Sequence, residues 1–228
     1  MAQVISVSVP ALDEAGGIAR TLEALAPLRA RGHEVIVVDG GSADQTRALA
    51  APFADRVLEA PRGRARQTNA GAAAARGDIL LFLHADTLLP PQADRAILAA
   101  LGGTRLWGRF DLAIASRSPL LAVVGFCMNW RSRLTGIATG DQAIFVRRDA
   151  FARAGGFPDI ALMEDIAFSV RMKRLARPAC LRERALTSDR RWRRHGAAAT
   201  ILLMWRLRLA YFLGADPQEL ARRYAQPG

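Results

Sequence analysis

Apolar residues fall in short dense blocks along the first hundred positions, and between the blocks they recur at helical spacing. Residues 4–9 form the first block and stop at Pro10, which predicts a short buried strand. Ile18, Leu22, Leu25 and Leu28 then repeat every three or four positions, predicting a helix over 16–28. Residues 34–38 are mostly β-branched and predict a second strand, ending in Asp39-Gly40-Gly41. Ser42-Ala43-Asp44-Gln45 has the S-x-x-Q form of a capping box, so a helix is expected to begin there. Residues 56–59 predict a third strand, and the Ala-rich 63–76 a helix stopped by Gly77-Asp78. Residues 79–83 are the densest apolar block and predict a strand ending in His84-Ala85-Asp86-Thr87. Prolines then open a helix expected over 90–101.

Strands alternating with helices specify an α/β fold with a mostly parallel central sheet flanked by helices. Such sheets bind ligands at the carboxyl ends of their strands. Pro10, Asp39 and Asp86 all stand just beyond a predicted strand. The second half is less regular. Strands are expected at 107–115 and 142–146, helices at 120–134, 163–175 and 197–213, and a last helix capped by Asp216-Pro217. The chain therefore divides into a body over 1–186, with a ligand-binding half of about 1–100 and a second half over 101–186. A basic, helical extension over 187–228 is expected to pack on that body.

The longest apolar runs, 119–130 and 196–205, fall short of the ~18–20 residues that cross a bilayer. Met1-Ala2-Gln3 carries no positive charge, against a secretory leader. The expectation is a cytoplasmic protein, peripheral at the inner face of a membrane at most. Cys127 and Cys180 stand apart and outside any C-x-x-C, which excludes a disulfide scaffold or zinc module.

Charge changes the picture more than composition does. The 228 residues hold 32 Lys+Arg against 21 Asp+Glu, a net charge of +11, and Lys173 is the single lysine. Between Arg171 and His195, ten basic residues face Glu183 and Asp189, so +8 of the excess sits in one stretch. A basic nucleic-acid-binding module would need aromatics interleaved with those arginines, and aromatics make up only 7%. Weak non-specific binding to nucleic acid is all that is expected. The remaining partners are a phosphorylated small molecule and an anionic membrane surface.

The residues able to do chemistry sit mainly at strand ends. Asp39-Gly40-Gly41-Ser42 joins a strand to a helix start, where backbone can approach an anion. Asp39 can accept from a base or ribose, or serve as an ordinary turn carboxylate. No G-x-G-x-x-G and no G-x-x-x-x-G-K-[ST] is present, so dinucleotide and P-loop readings lose support. Asp86 after the most apolar strand suits Mg²⁺ or Mn²⁺, hard ions that share substrate phosphates. Glu164-Asp165 is an adjacent acidic pair at a helix start. Neighbours on a helix face different ways, so one can take a proton while the other fixes a substrate or loop. A structural reading, acids answering the helix dipole, stands beside that one. Ile201, Leu202, Trp205, Leu209 and Phe212 form one stripe, which fits either a helix lying on a membrane or a packed one. A nucleotidyltransferase is the competing enzyme class. It would place basic residues right after the first strand, where this chain has Asp13 and Glu14 and no arginine before Arg20.

Six stretches occur together in order: SVSVPALDE (6–14), VIVVDGGSADQT (35–46), GRARQTNAGAAAARG (63–77), ILLFLHADT (79–87), GDQAIF (140–145) and GGFPDIALMED (155–165). In these the chain resembles the family 2 glycosyltransferases of the GT-A fold. WGRFD (107–111) and RRWRRHG (190–196) are similar to a bacterial subgroup described as radical-SAM/selenodomain-associated or arsenosugar-biosynthesis transferases. The resemblance implies a metal-dependent, inverting transfer from a nucleotide-diphospho-sugar to a hydroxyl of a small molecule or lipid. It implies that Pro10, Asp13, Glu14, Asp39, Gly41, Ser42, Arg66 and Ala85 border the nucleotide, with Arg191 and Trp192 closing over its diphosphate. Asp86 stands at the family's D-x-D metal ligand, Asp165 at its catalytic base, and Glu164 beside it against the acceptor. Two departures stand out. Asp13 replaces the usual Asn, and His84 replaces the first Asp of D-x-D. His84 and His195 are further candidate ligands, and imidazole favours Mn²⁺ over Mg²⁺.

Overall fold

The computed structural model describes residues 3–225, without the His195 side chain. In chain order the elements are β1 (Ile5–Ala11), α1 (Ile18–Glu23), α2 (Ala26–Ala30), β2 (Glu34–Asp39), α3 (Thr46–Ala50), β3 (Arg56–Glu59), α4 (Arg64–Ala74), β4 (Ile79–Phe82), β5 (Thr87–Leu88), α5 (Ala93–Leu101), β6 (Trp107–Ala115), α6 (Pro119–Thr135), β7 (Ile144–Arg147), α7 (Arg148–Arg153), α8 (Glu164–Leu175), β8 (Ala179–Ser188), α9 (Arg190–His195), α10 (Ala197–Phe212) and α11 (Pro217–Ala225).

One eight-stranded sheet runs in the order β3-β2-β1-β4-β7-β6-β8-β5. Its first half is parallel, with β1 central between β2 and β4. β7 then runs antiparallel to both β4 and β6, β8 returns parallel to β6, and β5 pairs antiparallel with β8. β1 and β2 are buried on both faces, as their near-continuous apolar runs require. One core layer joins Ile5, Val7, Val9, Ile79 and Leu81 to Ile18, Leu22, Leu25 and Leu28. The other joins Ile36, Val38, Leu80 and Phe82 to Trp107, Phe151, Phe157 and Phe168. Gly71 lets α4 lie this close, because a Cβ there would sit 2.0 Å from Ser8 Oγ.

Two sequence expectations change. The helix expected over 16–28 is broken into α1 and α2, with Pro27 in the first turn of α2, yet its apolar repeat still faces the core. The capping box at Ser42 does not form. α3 starts at Thr46 with no side-chain cap, because the Ser42 hydroxyl is bound to Asp39 and accepts from the Asp13 amide. Trp107 and Phe110 are fully buried and fill core. By contrast, the Asp216 cap is present, its Oδ1 accepting from Gln218 N at 3.0 Å.

The C-terminal helices pack behind the acidic pair. Leu207 of α10 and Leu220 of α11 are buried with Ile137, Met163 and Ile166. The stripe on α10 is not packed: Leu202, Trp205, Leu209 and Phe212 are exposed. α6 shows a second such face in Leu120, Val123, Phe126, Trp130 and Leu134. Among the described residues no helix is long and apolar enough to cross a membrane.

Candidate active site

The carboxyl ends of β1 and β4, the start of α8 and Arg190, Arg191, Trp192 and Arg194 of α9 open onto one cleft of about 1060 Å³. Pro10, Glu14, Arg64, His84, Ala85, Asp86, Asp141, Glu164, Arg190, Arg191 and Trp192 line it. A much smaller inner pocket shares Pro10, Arg64, His84 and Glu164 with the cleft and adds Asp165.

Asp86 is held in place by the strand that begins right after it. Thr87 and Leu88 form β5 against Thr187 and Leu186, and Ser188 N donates to Asp86 O at 3.2 Å. This pairing carries the chain straight into α9 and sets Arg190 over the site. The Arg190 guanidinium lies 2.7 Å from Glu14 Oε1 and 4.0 Å from Asp86 Oδ2. Burial raises the proton affinity of Asp86 above the ordinary carboxylate range; His84 and Arg190 oppose this while Asp141 and Glu14 add to it. Such a carboxylate, crowded by like charge, is one that a divalent cation would relieve. Among the described residues no three His, Cys, Asp or Glu side chains form a metal cage. An ion on Asp86 would therefore complete its shell with substrate oxygens, which is how Mg²⁺ is commonly held.

His84 Nδ1 lies 3.0 Å from Asp141 Oδ1. Its other edge rests on Gly140, where a Cβ would stand 2.3 Å from Nε2. Burial favours neutral Asp141, but the His84 hydrogen bond and charge, with Arg64 and Arg208, hold it below its usual value. Glu164 is buried, with Arg64 Nη1 at 3.6 Å and Oε1 without a hydrogen-bond donor. Burial raises its proton affinity; Arg64 opposes this and Asp165 adds to it. Asp165 is better supplied: Oδ2 accepts from Gly140 N at 2.9 Å and Oδ1 from Ile166 N at 2.7 Å. Arg191 lies 3.5 Å over the ring of Tyr224, which fixes α9 against α11.

The family model for glycosyl transferase family 2 matches residues 6–114. An uncharacterised glycosyltransferase of Mycobacterium tuberculosis is 30% identical over 193 residues, covering 79% of this chain and 73% of that protein. The chain belongs to glycosyl transferase family 2. A shorter match joins the transferase to glucosyl-3-phosphoglycerate synthase of Mycolicibacterium paratuberculosis, 33% identical over 98 residues, 39% of this chain and 30% of that one. In fold it is similar to Staphylococcus aureus TarS in complex with UDP-GlcNAc, with a TM-score of 0.67 at 18% identity over 81% of this chain and 58% of that one. It is also similar to the M. tuberculosis glucosyl-3-phosphoglycerate synthase complex with Mn²⁺, UDP and phosphoglyceric acid, with a TM-score of 0.57 at 20% identity over 80% and 68%. The transferase thus has the GT-A fold.

Not every residue expected at the nucleotide lies on the cleft wall. Asp39 is fully buried and spends both oxygens on its own loop, accepting from Gly41 N and Ser42 N at 2.9 Å and from the Ser42 hydroxyl. Asp13 clasps the same loop, its Oδ1 accepting from Ala43 N at 2.8 Å. Its φ of +52° is a conformation that Asn and Asp both tolerate, so exchanging one for the other keeps the turn and the acceptor. Arg66 points elsewhere, pairing with Asp159 at 2.9 Å on an exposed surface. Arg64, Gln67 and Thr68 line the two pockets in its place. Positions 64, 67 and 68 share a helix face that 66 does not, a periodicity legible in the sequence. Asp141 and the cleft arginines Arg131 and Arg208 were the other omissions. His195 as a ligand falls outside the described side chains.

Proposed function

We propose that this transferase moves a sugar from a nucleoside-diphosphate donor to an acceptor hydroxyl in a single inverting displacement assisted by a divalent ion. One observation carries the reading: Asp86, the Glu164–Asp165 pair and the arginines of α9 converge on one cleft and its inner pocket, at the sheet edge where α/β folds bind ligands. Asp86 and the diphosphate oxygens would hold Mn²⁺ or Mg²⁺, which supplies positive charge to the departing diphosphate. Arg190 and Arg191 face the same group and add fixed charge. Asp165 takes the acceptor proton as the hydroxyl oxygen bonds the anomeric carbon and the bond to the diphosphate breaks. Glu164, tied to Arg64, holds the acceptor. TarS in complex with UDP-GlcNAc, and the synthase with UDP and Mn²⁺, share the fold and support a donor of this class. Chelator is expected to stop donor turnover and Mn²⁺ to restore it. Full turnover in excess chelator would remove Asp86 from the metal role.

The stretches 107–111 and 190–196 support membership of the radical-SAM-associated, arsenosugar-type subgroup. The exposed faces of α6 and α10 support a second element of the proposal, that the protein rests on an anionic membrane surface. Trp130 and Trp205 suit an interface, and exposed Arg117, Arg193, Arg194 and Arg206 supply complementary charge.

A further inference from the structure

α6 carries two arginines that the fold treats in opposite ways. Arg133 pairs with Asp111 at 2.6 Å and donates to Cys180 O at 2.9 Å. Arg131, half a turn earlier, lines the cleft, and its Nε and Nη2 have no acceptor and no exposure to water. Its Nη1 reaches only Ile137 O, at 3.5 Å, the outer limit of a hydrogen bond. The completely buried Arg109 shows what this chain does with a structural arginine: Ser132, Phe110, Asn129 and Asp111 all accept from it.

Arg208 of α10 lines the same cleft from the opposite helix and, among the described residues, has no ion-pair partner within 4.0 Å. Burial lowers Arg131 to about 10, and the charge of Arg208 adds to that, while Asp165 opposes it. Two unpaired guanidiniums beside the acidic pair, one with donors stripped of water, make an arrangement that costs free energy until an anion arrives. The carboxylates Asp141 and Asp165 act on this pair only at a distance, since neither lies within 4.0 Å of Arg131 or Arg208.

We propose that Arg131 and Arg208 form a subsite for an anionic group of the acceptor, a phosphate or carboxylate carried near the hydroxyl that reacts. The proposal rests on reading the cleft as the site of sugar transfer. Arginine suits both anions through paired donors. The wall around it carries Leu120, Val123 and Trp205, each exposed, so a lipid phosphate and a free phosphate both fit its chemistry.

The test uses the full chain, saturated with Mn²⁺ and its nucleoside diphosphate so that the donor side is filled. Inorganic phosphate is titrated in one arm, at constant ionic strength in chloride. Phosphatidylcholine vesicles with and without phosphatidic acid are titrated in the other. A saturable rise in melting temperature is expected. Arg208→Gln, at a partly exposed position, and Arg131→Gln should each weaken the response about tenfold or more, the worth of one charged hydrogen bond. The nucleotide response should stay unchanged in both. Response to phosphate alone marks a soluble acceptor, and response only to phosphatidic acid marks a lipid one; both support the subsite. Absence of a saturable response in both arms, or equal affinity in folded Arg208→Gln, overturns it. A wild-type protein that ignores every nucleoside diphosphate overturns the transfer reading instead, a separate readout.

Discussion

A general base for the proposed transfer must be charged and placed to reach the acceptor hydroxyl, and the two acids at the head of α8 differ in how the fold holds them. Asp165 has two backbone N–H donors, which hold its carboxylate oriented. Replacing it with Asn should cut donor turnover about 10²–10⁴-fold while leaving nucleotide binding intact. Retained turnover would sink the assignment. Glu164 is buried with an unpaired oxygen and a raised proton affinity. Below the unfolded-state value both states are protonated and the group costs nothing. As pH rises from the unfolded value to the folded one, the unfolded chain ionises first and the fold loses stability, a loss that is complete once pH has passed the folded value. Glu164→Gln should therefore melt higher than wild type at pH 7 and equally near pH 4, with turnover lower by about 10–100-fold. A lower melting point at pH 7 would contradict the burial argument. The acidic pair, Asp86 and Glu14 were legible as motif residues. Asp141 lay inside the GDQAIF stretch without an assigned role, and Arg131 and Arg208 were not legible at all, because an unpaired arginine has no signature until helices from distant parts of the chain bring it to a cleft.

At the scale of elements, the site depends on the join between β6 and α6. Arg109, fully buried in β6, bonds to Asp111, which also holds Arg133 of α6. Asn129 of α6 closes the join, exchanging hydrogen bonds with Leu112 N and O at 2.8 and 2.9 Å. Asp111→Ala leaves a buried guanidinium without its counter-charge and should cost about 3–5 kcal/mol. Urea unfolding would show a lower midpoint with an unchanged slope. A loss below about 1 kcal/mol would mean that Arg109 is satisfied by Ser132 and the carbonyls of Phe110 and Asn129 alone. β1, β2 and β4 were legible because their apolar blocks are buried on both faces, and α4 because its Ala-rich run stops at Gly77-Asp78. β8 was not. Its centre is Arg182-Glu183-Arg184, all exposed, and it buries only Ala185 and Thr187. That stretch reads as a basic run, and without β8 the two-residue β5 and the seat of α9 cannot be foreseen.

At the scale of the molecule, the +11 charge is not spread evenly. Part of the basic stretch is α9 itself, set over Asp86 and Glu14, and part is the exposed edge of β8. The apolar faces of α6 and α10 adjoin the cleft, so docking on an anionic bilayer would turn the site toward lipid. Flotation with phosphatidylglycerol-containing vesicles should carry the protein upward, and Trp205→Ser with Phe212→Ser should leave it in the soluble fraction. Wild-type protein that stays soluble at low and physiological salt would contradict the membrane reading while leaving the transferase reading intact. The central claim, a nucleoside-diphosphate sugar bound with a divalent ion at Asp86, is tested most directly by thermal shift. Each member of a panel of nucleotide sugars is added with Mn²⁺ and again with excess chelator. One donor at about 100 times its Kd should raise the melting temperature by about 5–10 °C. Chelator or Asp86→Ala should remove most of that rise. A panel in which no nucleotide sugar shifts the melting temperature with either Mn²⁺ or Mg²⁺ would contradict the account.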